Sequence, residues 1–249
     1  EIEELVVGNK TLSIDDYLKC RVLDFLVKLY IDGDSFFEVF GVVKWLNLSA
    51  IDLLTYLRDH ELAGNPGFKS IIDSYVEHSR SVLFDSPEEL TEYFQNHVED
   101  YLSSELGFNE MLTHIAMAVS TARRETHAIL KDSAIQYLRK EGALTSHLES
   151  YIEQAVDFAS NRKLDVNQID SVKTGVYDFD FVEGRKFGYK KDPVELRTRG
   201  VRLKFIHSNT SKMFINKAIG HWGNESYPKL GKLLQKNNLF LLDREVVLL

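Results

Sequence analysis

The sequence predicts a mostly α-helical protein, a helical bundle with a small carboxy-terminal α+β lobe. Three observations predict it. Helix-start signatures recur from Ser13 to Ser146, apolar residues repeat at helical spacing as far as about Asn161, and beyond Leu164 the apolar period drops to two. The chain accordingly divides into a helical domain over residues 1–165 and a small α+β lobe over 166–249, able to pack with the helices as one unit.

The start signatures are Ser13-Ile14-Asp15-Asp16, Ser49-Ala50-Ile51-Asp52, Ser86-Pro87-Glu88-Glu89 and Ser146-His147-Leu148-Glu149. In each, a hydroxyl can accept a first-turn N–H while the acid three residues on faces the positive helix end. Asn65-Pro66 and Ser86-Pro87 add proline at the first helical position. The helix predicted over Ile14–Tyr30 is apolar nearly all round, with Leu18, Val22, Phe25, Leu26 and Leu29 on one face and Cys20, Leu23 and Val27 on another, which predicts a buried, central element. Leu90, Phe94, Val98, Tyr101 and Leu102 form one stripe backed by glutamates, which predicts a surface helix. Further stripes run through Leu112, Ile115 and Val119 and through Leu148, Tyr151, Ile152, Ala155 and Ala159.

In the lobe, Val176–Val182 alternates ring and acid, and Val201–Phe205 alternates apolar and base. Antiparallel pairing of these strands places Tyr177, Phe179, Phe181, Leu203 and Phe205 on one face, with Asp178 and Asp180 opposite Arg202 and Lys204. The sheet is expected to pack against two helices, one capped at Ser208-Asn209-Thr210 and one opened by Pro228. Val246–Leu249 reads as a last strand, with Leu5–Val7 a possible partner.

The charge is divided. Residues 184–249 hold 14 Lys and Arg against 5 Asp and Glu, leaving 16 against 33 in residues 1–183, for an overall −8. Such asymmetry marks either a face for an anionic partner or a basic lobe that meets the acidic lobe of its own molecule. One cysteine excludes an internal disulfide and every multi-cysteine metal site, and suits a reducing cytoplasm. No apolar run reaches the roughly 20 residues of a membrane helix, and nothing resembles a signal peptide. The chain opens on Glu1 without methionine, as a piece of a larger polypeptide would.

Chemistry-bearing motifs are few. No metalloprotease or di-iron helix motif and no glycine-rich nucleotide loop occurs. Glu110 and His114 share a helix face, as a surface hydrogen-bonded pair more readily than as metal ligands. Cys20 reads as a buried, inert thiol. His207 stands at a strand end before a helix N-terminus, where it either joins an anion site or fixes the local turn. With Ser208, Asn209, Arg202, Arg199 and Lys191 it forms the candidate contact for an anion or substrate group. No catalytic residue and no metal ligand is assigned.

Two stretches carry a family resemblance. Glu4-Leu5-Val6-Val7, then Thr11–Tyr17 and Arg21, resemble the segment that follows the catalytic barrel in cobalamin-binding radical SAM proteins. Leu203–Ser208, Trp222-Gly223 and Leu230-Gly231-Lys232-Leu233-Leu234 resemble the carboxy-terminal tail of the same family, with Trp222 where tyrosine is more usual. Together they cover about two fifths of the chain. The resemblance implies a parent enzyme with a cobalamin-binding domain and a barrel holding a 4Fe-4S cluster and S-adenosylmethionine. These cofactors are expected on upstream domains of the same polypeptide and none in this chain, since the three-cysteine cluster loop is not in it.

The expected function is therefore a non-catalytic accessory domain of a cobalamin-dependent radical SAM enzyme, cytoplasmic, closing over or positioning substrate. The alternative is an anion- or nucleic-acid-binding module using the basic lobe, with Ser211–Asn237 as a helix-turn-helix; a pI near 5.5 argues against nucleic acid. A metal-free enzyme with a carboxylate pair has no spacing in its favour.

Overall fold

Ser13 starts the first helix, α1 (Ile14–Tyr30), through a reciprocal capping box: its hydroxyl accepts the Asp16 N–H at 3.1 Å, and the Asp16 carboxylate accepts the Ser13 backbone N–H at 3.4 Å. The computed structural model describes residues 10–99, 109–189, 191–239 and 242–249. α2 (Phe37–Trp45), α3 (Ala50–Tyr56), α4 (Pro66–Ser81), α5 (Pro87–Asn96), α6 (Glu110–Ser120), α7 (Arg123–Lys140) and α8 (Ser146–Arg162) follow. Ser49 and Ser86 cap α3 and α5 as their sequences predict. At α8 the cap is Thr145, whose hydroxyl accepts the Leu148 N–H, so the helix starts one residue before the expected cap has acted.

Two helices differ from expectation. α1 buries Leu18, Val22, Phe25, Leu26, Leu29 and Tyr30, but its second face is only partly covered and Cys20 is exposed, not buried. Leu23 and Val27 of that face still pack partly against the core. α5 lies on the surface with no buried residue, and it ends at Asn96, short of the predicted stripe. Tyr101 and Leu102 fall outside the described residues.

The lobe contains β1 (Lys173–Phe179), α9 (Phe181–Lys186), β2 (Arg197–Ile206), α10 (Asn209–Trp222), α11 (Tyr227–Lys236) and β3 (Glu245–Leu248). The sheet is antiparallel in the order β1-β2-β3, with Tyr177 opposite Val201 and Phe205 opposite Val246. β1 stops at Phe179 because the Asp180 carboxylate accepts the Glu183 N–H and caps α9, so the predicted strand to Val182 is two elements. Asp178 likewise makes no ion pair with Arg202. Its carboxylate accepts the Gly200 N–H at 3.0 Å, at a bulge where Gly200 takes φ +58°. β3 pairs with β2; Leu5–Val7 lies outside the described residues.

Tyr177, Phe179, Phe181, Leu203 and Phe205 are all buried. The face they form packs on α8, with Phe158 centred between Tyr177, Phe181 and Phe205, and not on the last two helices as expected. These lobe residues belong to the same continuous apolar core as Val22 to Phe158. α10 and α11 build a second cluster around Ala116 of α6, made of Ile215, Ala218, Leu230, Leu233, Leu234 and Leu239. Among the described residues no helix is long and apolar enough to cross a membrane.

Candidate functional site

The six predicted contact residues do not converge. Ser208 caps α10 within its own turn, accepting the Ser211 N–H at 3.3 Å, and Asn209 is exposed beside it. His207 is 4% exposed, and neither ring nitrogen has a partner among the described residues. Burial, with the charges of Arg244 and Lys212, pulls its pKa down to about 4. Arg202 projects from β2 five residues away, about 16 Å along the strand, and Arg199 lies farther still at the bulge. Lys191 sits over the Phe187 ring at 3.7 Å.

What does gather on one surface is the outer face of the sheet. The register sets Val176 beside Arg202, whose carbonyl accepts the Leu249 N–H, and sets Lys204 beside Val247. Val176, Val247 and Leu249 are exposed, and no ion pair engages Arg202 or Lys204 among the described residues. Other cations of the lobe are neutralised nearby: Lys186 by Glu183, Lys212 by Asp170 and Lys229 by Glu225.

The densest polar chemistry is buried, where α2, the end of α8 and the lobe meet. The Arg162 guanidinium, 1% exposed, lies 3.2 Å from Glu38 and also holds the Asp243 carboxylate. Asp243 is shared with Lys163 at 3.1 Å and Arg185 at 2.9 Å. Burial raises Asp243, but the Arg162, Lys163 and Arg185 charges outweigh it and hold the carboxyl below its usual range. Burial raises Glu38, and Arg162 offsets only part of that. Two more arginines close the α8 C-terminus: Arg123 donates to the Leu164 carbonyl at 2.9 Å, and Arg244 to those of Asn161 and Lys163.

Beside this junction lies a cavity of about 70 Å³. Leu29, Phe36, Val119, Leu234 and Leu239 form its walls, and Arg123, His127 and Lys163 its polar side. His127 Nδ1 is 2.9 Å from Ser160 Oγ, and burial with the Arg123 charge pulls the imidazole down to about 3.

The Glu110–His114 pair is not a surface pair. His114 is buried, its Nδ1 bonded to the Glu110 carbonyl and its Nε2 to Ser74, while Glu110 reaches His78 Nε2 at 3.1 Å. Among the described residues no group of three or more His, Cys, Asp or Glu side chains is placed to share a metal ion. The chain's own residues do not fit the cluster implied by the resemblance, which needs three thiolates where the sequence has Cys20 alone.

Sequence reasoning missed Glu38, Arg162, Tyr189 and Asp243. A signal existed: Glu38 interrupts the apolar run Phe36–Val43, and Arg162 continues the buried stripe through Ala155 and Ala159. Comparisons with protein-family models, with curated proteins and with solved structures find no match to this chain.

Proposed function

We propose that this chain is a non-catalytic accessory module that docks through the outer face of its sheet onto an acidic surface. Following the family resemblance, that surface belongs to the barrel of a cobalamin-dependent radical SAM enzyme in the cytoplasm, where the module closes over or positions the substrate. One observation carries the reading: Val176, Val247 and Leu249 stand exposed around Arg202 and Lys204, which have no ion pair among the described residues. Covering the aliphatic groups supplies affinity, and the two cations select an acidic partner and its register. The buried polar cluster, by contrast, spends its charges on joining α2, α8 and the lobe.

The cations alone would also suit a polyanion, and that is the second reading. Aliphatic groups separate the two. Docking requires Val176 and Leu249 as well as Arg202 and Lys204, whereas a polyanion responds to Arg199, Arg202 and Lys204 only, with a steep salt dependence.

The reading frame preceding Glu1 is the first test. A Cys-x-x-x-Cys-x-x-Cys loop there supports the radical SAM assignment, and an in-frame stop overturns it. With the preceding domains expressed as a separate polypeptide, R202E/K204E and V176S/L249S are each expected to weaken association at least about tenfold. Association unchanged by both pairs removes the docking face.

A further inference from the structure

The cavity beside the α8 terminus has a chemical character of its own, independent of the sheet face. Its polar groups are held in place by bonds that leave two nitrogens over. Arg123 is fixed on the carbonyls of Leu164, Lys163 and Ser160, at 2.9, 3.2 and 3.4 Å. Lys163 donates to the Gly33 carbonyl and pairs with Asp243. Thr126 donates to the Arg123 carbonyl at 2.8 Å, Ser35 to that of Asp32 at 3.0 Å, and Tyr30 to that of Thr126 at 2.8 Å. His127 Nε2 and Arg123 Nε have no partner among the described residues. His127 Nδ1 is 2.9 Å from Ser160 Oγ, for which no other acceptor is found among the described residues, and we assign the ring proton to Nε2 with Nδ1 accepting from the hydroxyl. The Phe36 ring, edge-on at 5.1 Å between centroids, holds the imidazole in position.

The cavity therefore presents unpartnered nitrogens at His127 Nε2 and Arg123 Nε, with Lys163 already paired to Asp243 and no carboxylate in its own lining, set against aliphatic and aromatic walls. A neutral apolar guest would use the walls and waste the donor. A fully hydrated anion such as phosphate would use the charges and lose its water to the walls. An amphipathic anion uses both. The volume, about 70 Å³, holds roughly five or six non-hydrogen atoms, at on the order of 10–15 Å³ for each water-sized group.

We propose that this cavity is a binding site for a short aliphatic monocarboxylate of about three or four carbons. The carboxylate accepts the His127 Nε2–H in the field of Arg123 and Lys163, and the hydrocarbon lies against Leu29, Phe36, Val119, Leu234 and Leu239. The Arg123 charge that disfavours an imidazolium at His127 favours an anion at the same place. Because the walls come from α1, α6, α11 and the end of α8, the ligand touches elements at both ends of the chain and stabilises their packing by mass action.

The probe is butyrate, titrated into the whole chain at constant ionic strength with chloride as the balancing anion. Imidazole ¹⁵N–¹H spectra follow the eight histidines. The expected result is a saturable shift confined to His127, with 1-butanol and butyramide binding at least about tenfold more weakly because they lack the charge that strengthens the bond. H127F should abolish butyrate binding, read from saturation transfer to its methyl group. Should that variant fail to fold, V119L keeps His127 and narrows the cavity, and it is expected to weaken butyrate more than acetate. Three results overturn the proposal: 1-butanol binding as tightly as butyrate, butyrate moving no His127 signal, or V119L leaving the butyrate-to-acetate ratio unchanged.

Discussion

The Tyr189 hydroxyl lies 3.0 Å from Glu38 Oε1 and 3.0 Å from the Phe181 carbonyl, joining a loop of the lobe to the first turn of α2. The contact needs unusual room. Tyr189 takes φ +53°, and a Cβ on Gly41 would stand 2.4 Å from the Tyr189 Cβ. Y189F should cost about 1–3 kcal/mol in urea denaturation, since it leaves a buried carboxylate short of a donor. G41A should cost more, because two backbones have to part. Equal stability of Y189F and the parent chain would show that Glu38 is satisfied without the hydroxyl.

A second close approach separates two helical glycines. A Cβ on Gly231 of α11 would meet the Leu112 carbonyl oxygen of α6 at 2.6 Å, whereas a Cβ on Gly220 of α10 would meet nothing within 4 Å. G220A is expected to stabilise by about 0.5–1 kcal/mol through helix propensity. G231A has the same propensity gain and should nevertheless destabilise, by about 1–3 kcal/mol, as α11 is pushed off α6. Melting temperatures of the pair moving in the same direction would contradict the packing.

Phe179 tests the sheet. Its ring packs against Tyr151 at 5.0 Å and His147 at 5.1 Å between centroids. F179D places an unpaired charge among rings and should cost several kcal/mol, about 3–5. An unchanged melting temperature would place the segment at the surface.

Acid should destabilise the protein well above the carboxylate range. His127 and His207 have pKa values pulled down to about 3 and about 4, from an ordinary 6.5. In both, the folded state keeps the imidazole neutral while the unfolded chain takes the proton. Stability is therefore full above about pH 6.5 and falls below it, by up to about 1.4 kcal/mol per pH unit for each ring until the folded pKa is reached. Glu38, raised by burial, binds its proton first in the folded state and offsets part of this loss as the pH falls toward its ordinary 4.5. Asp243, held low, adds its own loss only below its ordinary 3.8. Denaturation at pH 7.5 and pH 5 should differ by on the order of 2–4 kcal/mol, and H127F should flatten the dependence. A flat profile in the parent chain would mean that both rings reach water.

Local features were legible in the sequence and distant ones were not. Caps at Ser13, Ser49, Ser86 and Ser208 act within three residues of themselves, so composition alone locates them. Thr145 and Ser146 offer two hydroxyls in succession, and only the backbone decides which one accepts. The ring-and-acid alternation from Val176 runs on past the strand because Phe181, at the head of α9, faces the same core as Phe179. Likewise the basic residues of the lobe share a stretch of sequence but separate along a ten-residue strand, which placed Arg199 and His207 at opposite ends. The buried cluster escaped altogether, since Arg162 finds Glu38 across 124 residues and Asp243 across 81.

Those separations set a timetable for synthesis. Glu38 is made 205 residues before Asp243, so on a ribosome adding about 5–20 residues per second it precedes its network by roughly 10–40 s. Until Asp243 emerges, Arg162 has Glu38 alone as a counter-charge, and closing α2 over it would bury the guanidinium without the second carboxylate that it holds in the folded chain. The nascent helices therefore wait, wet at this junction, for the last few residues of the lobe. A ribosome stalled at residue 236 should hold a chain that trypsin cuts at Arg162, and one stalled far enough downstream for Asp243 to clear the exit tunnel should hold a chain that it does not.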